Sequence, residues 1–141
     1  MNSDLDPAAF ADLLARAEAA SALSYSPYSK YRVGAAVETD VGIFVGANVE
    51  NASYNLGLCA ERAALTMALM NRAKVIHKVA VCCFDARKDE NGRVVDPSET
   101  MPCGGCRQWL AELAPNAVVM TNGIEKPLTM NDLLPNAFKL G

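Results

Sequence analysis

The chain has 141 residues, of which 51% are hydrophobic and 21% charged, so residues 1–141 are expected to fold as one domain with a real core. The formal net charge is −3 and no long Lys/Arg cluster occurs, which argues against a phosphate-binding surface. We therefore expect a small-molecule substrate and no nucleic-acid partner. The N-terminus lacks the pattern of a signal peptide and no apolar run approaches about 18 residues, so we expect a cytoplasmic protein without a membrane partner.

The spacing of apolar residues changes along the chain, and these changes define the predicted elements. Asp6 and Pro7 are a typical N-cap and first helical residue, and apolar residues recur behind them at helical spacing. β-Branched residues on both sides of 40–42 indicate a hairpin, and the apolar run 75–84 indicates a central strand. In chain order we expect helix 7–22, strands 32–39 and 43–49, helix 59–71, strand 75–84, helix 103–113, strand 117–121, a short edge strand 127–130 and one helical turn at 131–134.

This order of elements predicts the fold class. Helices and strands alternate after the opening hairpin, so the sheet should be mixed and amphipathic helices should cover both of its faces. We therefore expect an α/β fold, a three-layer α/β/α domain with a mixed five-stranded sheet. The polar segment 85–101 contains Asn91-Gly92 and Asp96-Pro97, which are turn-forming pairs, and should be an exposed excursion.

Three cysteines stand at the starts of two predicted helices: Cys59 at one, Cys103 and Cys106 at the other. Unpaired backbone N–H groups and the helix dipole stabilise negative charge there, so both places suit thiolates. Three thiolates can bind a tetrahedral Zn²⁺ and leave its fourth position to water, which is the catalytic pattern. A redox dithiol is the obvious alternative for a lone C-x-x-C.

Glu61 is the candidate acid and base beside these thiols. It lies about 200° around the helix from Cys59, at roughly 100° per residue, so it is poorly placed to bind the same ion. It can still reach a substrate at the helix's N-terminal end and move a proton there. Three thiolates weaken zinc's ability to acidify water, and we expect the two helix N-termini and Arg62, through hydrogen bonds to the sulfurs, to offset this. Arg62 and Arg107 could be solvated helix charges, but beside thiolates we expect both to support the metal ligands.

A non-enzymatic structural zinc module is a second interpretation of the same cysteines. It needs a fourth protein ligand, which Cys82 or Cys83 would have to supply. Adjacent strand residues point to opposite faces, so at most one of the two could do so. We expect both to be buried core thiols, since free cysteine is among the most buried residue types.

Four segments together resemble one known family. The pattern C-A-E followed by P-C-x-x-C is the cysteine form of the signature of zinc-dependent nucleobase deaminases. The longer segments resemble the small homotetrameric cytidine deaminases, over about Pro27 to Phe138. These segments are PYSKYRVGAA at 27–36, NVENASY at 48–54, CAER at 59–62 and PCGGCRQ at 102–108.

The resemblance implies a zinc-dependent hydrolase of pyrimidine salvage that converts cytidine and deoxycytidine to uridine and deoxyuridine. It implies that Cys59, Cys103 and Cys106 bind zinc and that zinc-bound hydroxide attacks C4 of cytosine. Glu61 would act as the proton shuttle, protonating N3 and then helping the amino group to leave as ammonia. It also implies a homotetramer with shared active sites.

The resemblance assigns the substrate contacts as well. Asn48 and Glu50 would hydrogen-bond the ribose hydroxyls, and an amide with a carboxylate can satisfy a sugar's donors and acceptors. The backbone at Ala60 and around Pro102 would contact the base. Because this pattern fits ribose, it disfavours an alternative substrate of the blasticidin type.

Two features depart from the family's usual sequence. Tyr31 stands where the family usually has a phenylalanine that packs on the base, so its hydroxyl must find a partner or reshape the pocket. Segment 85–101 is longer than usual and leads into Pro102, which makes N4-substituted or otherwise modified cytosine nucleosides an alternative substrate class.

Phe138 resembles the aromatic residue that relatives contribute to a neighbouring subunit's active site.

Overall fold

The computed structural model describes residues 5–141 of the chain. Within that range no helix has the length and apolarity needed to cross a lipid bilayer. The α-helices and strands of the described residues are α1 (Ala11–Ser21), β1 (Val33–Thr39), β2 (Gly42–Ala47), α2 (Ala60–Met70), β3 (Ile76–Cys83), α3 (Gly104–Leu113), β4 (Val118–Thr121), β5 (Leu128–Thr129) and α4 (Met130–Leu133).

The five strands form one mixed sheet in the order β2-β1-β3-β4-β5. β1 pairs antiparallel with both β2 and β3, and β4 pairs antiparallel with β5. Only β3 and β4 run parallel, because the chain crosses from one to the other through α3. The predicted mixed five-stranded sheet is confirmed.

Helices cover both faces of this sheet, as predicted. On one face α1 buries a stripe of apolar side chains against alternate residues of β1 and β3, among them Ala36, Ala80 and Cys82. On the other face α2 and α3 pack against the opposite set, which includes Cys83. Cys82 and Cys83 are both buried and belong to different faces, as expected for neighbours on a strand.

The element boundaries differ from prediction mainly at the helix starts. The first helix begins as a 3-10 turn, Pro7–Phe10, capped by the carboxylate of Asp6, which accepts a hydrogen bond from the Ala8 N–H at 3.0 Å. Cys59 and Cys103 are the N-caps of α2 and α3 and have extended backbones, so they precede the first helical turn. As N-caps, their side chains stay close to the free N–H groups of the helix.

Segment 85–101 is not wholly the exposed excursion that its polarity predicts. Its middle is exposed, but Thr100 is fully buried and Ala86 nearly so. Residues 97–100 form a 3-10 turn, capped by Asp96. The segment is exposed at its tip and packed into the molecule at both ends. At its second end, the Thr100 hydroxyl forms a hydrogen bond with the Thr121 hydroxyl on β4 at 2.7 Å.

Two glycines allow the helices to approach the sheet closely. A Cβ at Gly34 on β1 would overlap the backbone oxygen of Ala17 on α1. A Cβ at Gly46 on β2 would lie 2.5 Å from the backbone nitrogen of Ala64 on α2. Backbone atoms cannot move aside as a flexible side chain can, so each helix–sheet contact depends on the missing side chain.

We predict that Gly34→Ala and Gly46→Ala each lower the free energy of unfolding by about 1–3 kcal/mol, the usual cost of overpacking a core. Gly104→Ala is the control, since a Cβ there meets nothing within 4 Å. Urea unfolding followed by circular dichroism measures the three variants. Equal stability of Gly34→Ala and the control would contradict the close packing of α1.

Candidate active site

The starts of α2 and α3 bring three thiols together. The Sγ atoms of Cys59, Cys103 and Cys106 all lie within 4.8 Å of one another, although 44 residues separate Cys59 from Cys103. Cys103 caps α3 by accepting a hydrogen bond from the Cys106 N–H at 3.4 Å. The cluster therefore combines both helix N-termini, where partial positive charge favours thiolates.

The geometry of these sulfurs fits a single metal ion. Zinc–sulfur bonds of about 2.3 Å at tetrahedral angles place two sulfurs about 3.8 Å apart. The Sγ atoms of Cys59 and Cys103 are 3.9 Å apart. Three soft sulfur donors at this spacing suit zinc. Among the described residues, no histidine, carboxylate or further cysteine joins these three as a fourth ligand.

Hydrogen bonds favour the thiolate form of Cys59. The pKa of Cys59 is lowered to about 5, first by the hydrogen bond from Cys106 and then by Arg62. The Arg62 Nη2 donates to the Cys59 Sγ at 3.3 Å, and its guanidinium carbon lies 6.0 Å from the centre of the Trp109 ring. The pKa of Cys106 is raised in turn, because its proton is held in the bond to Cys59. One negative charge is thus stabilised before any metal binds.

Arg107 contacts backbone carbonyl groups, one of them next to Cys103, rather than the sulfurs themselves. Its Nε donates to the carbonyl of Pro102 at 2.9 Å, and its Nη1 to the carbonyl of Leu133 at 2.8 Å. A guanidinium on the first turn of α3 can reach back to the preceding loop as easily as to the thiols. Arg107 therefore braces the chain that leads into Cys103.

Glu61 is buried, with only 5% of its surface exposed, and it lines the same cavity as Cys59 and Cys103. Burial raises the pKa of Glu61 to about 7, and the negative charge on Cys59 acts in the same direction. The carboxyl group can therefore both accept and donate a proton near neutral pH. It does not belong to the three-sulfur cluster, in keeping with its place on the helix.

A cavity of about 630 Å³ opens over the cluster and Glu61. Its volume suits a small organic molecule of nucleoside size. Residues from β1, α2, the 48–58 loop and segment 85–101 line it together. The lining residues are Tyr28, Ser29, Tyr31, Val33, Asn48, Val49, Glu50, Asn51, Tyr54, Gly57, Leu58, Cys59, Ala60, Glu61, Arg62, Cys83, Glu99, Met101 and Cys103.

Asn48 lies in the cavity wall but is largely committed to the protein. Its Oδ1 accepts hydrogen bonds from the Val33 N–H, at 2.9 Å, and from the Ser24 hydroxyl. Its Nδ2 donates to the Tyr31 carbonyl at 2.8 Å. One amide N–H remains to meet a ligand, so Asn48 offers one donor besides holding the wall together.

Glu50 presents a carboxylate that its neighbours hold in place. Its Oε1 accepts from the backbone N–H groups of Tyr28 and Ser29, at 3.0 and 3.1 Å, and its Oε2 accepts from the Ser29 hydroxyl. The pKa of Glu50 is lowered, chiefly by the Ser29 hydroxyl, so the group is ionised at neutral pH. Its remaining lone pairs can accept hydrogen bonds from hydroxyl groups.

The hydroxyl of Tyr31 finds a partner within the chain. It donates to the Glu99 carbonyl at 2.7 Å, which places the ring in the cavity wall beside segment 85–101. Burial raises the pKa of Tyr31 above its ordinary value, so the hydroxyl stays protonated and acts as a donor.

The remaining expected contact residues fall into two groups. Ala60 lines the cavity at the start of α2. Pro102 and Phe138 lie outside the lining formed by the described residues, although Met101 and Cys103 on either side of Pro102 belong to it. Phe138 is 68% exposed and its carbonyl accepts from the Gln108 side chain at 3.1 Å. Its aromatic ring is thus free to contact something outside this chain.

Sequence reasoning missed three groups at the cavity. Ser29 orients Glu50, Cys83 lies in the wall, and the Glu99 carbonyl receives Tyr31. The strand alternation of β3 could have placed Cys83 on the α2 face. Nothing local to Glu99 marks it, because its partner lies 68 residues away.

Comparisons with known proteins agree with this geometry. The family model for the cytidine and deoxycytidylate deaminase zinc-binding region matches residues 10–122. The cytidine deaminase of Mycobacterium tuberculosis is 40% identical over 129 residues, which cover 91% of this chain and 88% of that protein. The cytidine deaminase of Halalkalibacterium halodurans is 39% identical over 120 residues, which cover 82% of this chain and 83% of that protein.

Solved structures give the same result. A crystal structure of cytidine deaminase from Burkholderia pseudomallei superimposes with a TM-score of 0.73 at 39% identity, over 90% of this chain and 97% of that one. One from Mycobacterium tuberculosis gives a TM-score of 0.72 at 36% identity, over 92% of this chain and 96% of that one. The fold, the three thiols and the matched sequence lead to one conclusion: the chain belongs to the cytidine and deoxycytidylate deaminase family.

Proposed function

We propose that this chain is a zinc-dependent hydrolase that deaminates cytidine and deoxycytidine to uridine and deoxyuridine. The observation that carries the proposal is the buried carboxyl group of Glu61, in a nucleoside-sized cavity beside three thiols spaced for one zinc ion. Family membership and the names of the relatives support it. The match over residues 10–122 supports treating residues 1–141 as one deaminase domain.

Cys59, Cys103 and Cys106 would hold the zinc ion, which when bound supplies an activated water as the nucleophile for C4 of cytosine. Arg62 stabilises the negative charge on the Cys59 sulfur, at 3.3 Å. This hydrogen bond would reduce the charge that the sulfur donates to a bound ion. The N-termini of α2 and α3 act in the same direction.

Glu61 would move the protons. A carboxyl group whose pKa lies near neutrality can accept a proton from the attacking water and deliver it to N3. It can then take the proton of the hydroxyl group now on C4 and pass it to the amino group, which leaves as ammonia while C4 keeps the oxygen as a carbonyl. Glu61 itself is almost fully buried, so its carboxyl group exchanges protons with groups that reach it through the cavity.

Asn48 and Glu50 would bind the sugar. The single free N–H of Asn48 can donate to a ribose oxygen, and the ionised Glu50 carboxylate can accept from ribose hydroxyls. The fixed orientation of Glu50 favours ligands with hydroxyl groups and disfavours free cytosine. Ala60 would offer its backbone to the base, whereas contacts from Pro102 are supported only through its neighbours in the cavity wall.

A structural zinc module is the weaker candidate function. It needs a fourth protein ligand, and neither Cys82 nor Cys83 belongs to the three-sulfur cluster. Cys82 packs on the opposite face of the sheet, with α1. A buried carboxyl group with a raised pKa in a cavity is also more typical of a catalytic site than of a structural one.

We also propose a cytoplasmic homotetramer whose subunits share active sites. All five cysteines are free thiols, which suits a reducing compartment. Large apolar side chains are exposed on the outer side of α2 and around the cavity, among them Met70 at 72% and Tyr54 at 87%. Exposed apolar patches of this kind mark protein contacts, and the exposed ring of Phe138 is placed to join one.

Glu61→Gln tests the catalytic role. The amide keeps the shape of the side chain but cannot take up a proton, so we expect kcat to fall by about two to four orders of magnitude. Zinc content, measured by elemental analysis, should stay at one ion per chain. Glu112→Gln, a change at an exposed position of α3, is the matched control. A fully active Glu61→Gln enzyme would be incompatible with the proposal.

Glu50→Gln tests the sugar contact. We expect it to lower kcat/KM for cytidine by roughly 10- to 100-fold, as for a hydrogen bond to a charged group, and to leave 2′,3′-dideoxycytidine nearly unaffected. The comparison of the two nucleosides separates a lost sugar contact from general damage to the wall. Glu90→Gln, exposed at the tip of segment 85–101, is the control. Equal losses on both nucleosides would argue against a contact with the hydroxyl groups.

Light scattering tests the assembly. The purified protein should have four times the mass of its 15.0 kDa chain. Phe138→Ala should reduce activity without changing the three-sulfur cluster, because only a neighbouring subunit brings this ring to a cavity. A fully active monomer would refute the shared-site arrangement.

A further inference from the structure

We propose that Tyr31 is a positioning residue that sets the size of the cavity beside the exocyclic amine of the substrate, by anchoring segment 99–101. The inference rests on the proposed nucleoside deaminase function and extends it to discrimination among N4-substituted nucleosides. It depends on the hydrogen bonds and ion pairs that hold segment 85–101 in place.

Tyr31 and Arg32 together hold both ends of this segment. Tyr31 donates its hydroxyl hydrogen to the Glu99 carbonyl at 2.7 Å. The Arg32 guanidinium donates to both oxygens of Asp85, at 2.9 and 2.8 Å, and its backbone N–H donates to Asp85 at 2.8 Å. Two adjacent residues before β1 thus fix the points where the segment leaves and rejoins the fold.

The end near Glu99 forms part of the cavity wall, whereas the start does not. Glu99 and Met101 line the cavity, and Asp85 lies outside its lining. Thr100, between them, points the other way and bonds Thr121 in the core. The Tyr31 hydroxyl is therefore the anchor that acts on the cavity side of this wall.

Glu99 has a second anchor on the solvent side. Its Oε1 accepts from the Arg87 Nε at 2.7 Å and its Oε2 from the Arg87 N–H at 3.2 Å. The Arg87 side chain of this ion pair is 71% exposed, so water screens the pair and its contribution is small. The half-buried bond from Tyr31 should hold the wall more strongly.

The place of Glu99 and Met101 in the cavity wall indicates which part of the substrate they face. In the proposed reaction C4 of the base faces the sulfurs, so a substituent on the amine at C4 lies next to them. Met101 precedes Cys103 by two residues and lines the cavity beside it. A fixed wall here leaves room for an amino group and disfavours a larger one.

Tyr31→Phe removes only the hydroxyl and therefore the hydrogen bond to the Glu99 carbonyl. The assay compares the inhibition constant of N4-methylcytidine with the KM of cytidine, which requires no turnover of the methylated compound. We expect the ratio of the inhibition constant to KM to fall about five-fold, which corresponds to about 1 kcal/mol, the usual net value of one hydrogen bond. Backbone amides 97–101 should also exchange hydrogen for deuterium faster in the ligand-free protein.

Arg87→Gln weakens the same wall without touching Tyr31. It should lower the ratio in the same direction, by about two-fold, as expected for an exposed ion pair. Tyr25→Phe is the matched control, since Tyr25 is exposed and lies outside the cavity lining, and should change neither the ratio nor the exchange.

Two results would overturn the proposal. Unchanged exchange of 97–101 in Tyr31→Phe would show that the hydroxyl does not anchor the wall. Faster exchange in Tyr31→Phe together with an unchanged ratio would show that the anchored segment does not set the size of the cavity beside the amine. If the wild-type protein does not deaminate cytidine, the proposed function fails, and the exchange experiment still decides whether Tyr31 anchors the segment.

Discussion

Two helices begin side by side on one face of the sheet, and their N-termini determine the geometry of the site. α2 and α3 pack against the same side of β1 and β3, and this packing places Cys59 within 3.9 Å of Cys103. Three sulfurs this close repel one another once ionised. The unpaired N–H groups of both helices and the guanidinium of Arg62 offset part of that repulsion, and a divalent cation would offset the remainder. The apolar core thus holds in place a polar site that would not assemble unaided.

The same packing gives Glu61 its chemical character. Glu61 is the second residue of α2, and its side chain lies buried in the cavity wall, where a carboxylate is poorly solvated. Its pKa rises to about 7 for that reason. Glu50, on the rim of the same cavity, accepts hydrogen bonds from Ser29 and keeps a lowered pKa. Two glutamates in one cavity thus differ in pKa, and the difference fits the proposed roles of proton carrier for Glu61 and hydrogen-bond acceptor for Glu50.

Most of the fold could be predicted from the sequence, because its signals are local. The apolar run of β3, the helix formers of α2 and the hairpin turn each identify an element without knowledge of the others. The three thiols and Glu61 could be predicted because they form a sequence motif, C-A-E followed by P-C-x-x-C. The partners of Arg107 could not be predicted, since a long side chain on a first helical turn has several partners within reach and tertiary packing chooses among them. The Tyr31–Glu99 bond and the burial of Thr100 join residues far apart in sequence, and no local pattern reports such a contact.

We propose that the sulfurs of Cys59, Cys103 and Cys106 hold one zinc ion beside Glu61 and leave one coordination position to a small molecule. X-ray absorption spectroscopy of the zinc-loaded protein measures the number and type of its ligands. We expect three sulfur neighbours at about 2.3 Å and one lighter neighbour that changes when a cytosine nucleoside analogue binds. Four sulfur neighbours, or a coordination shell that is unchanged by the analogue, would refute the proposed site.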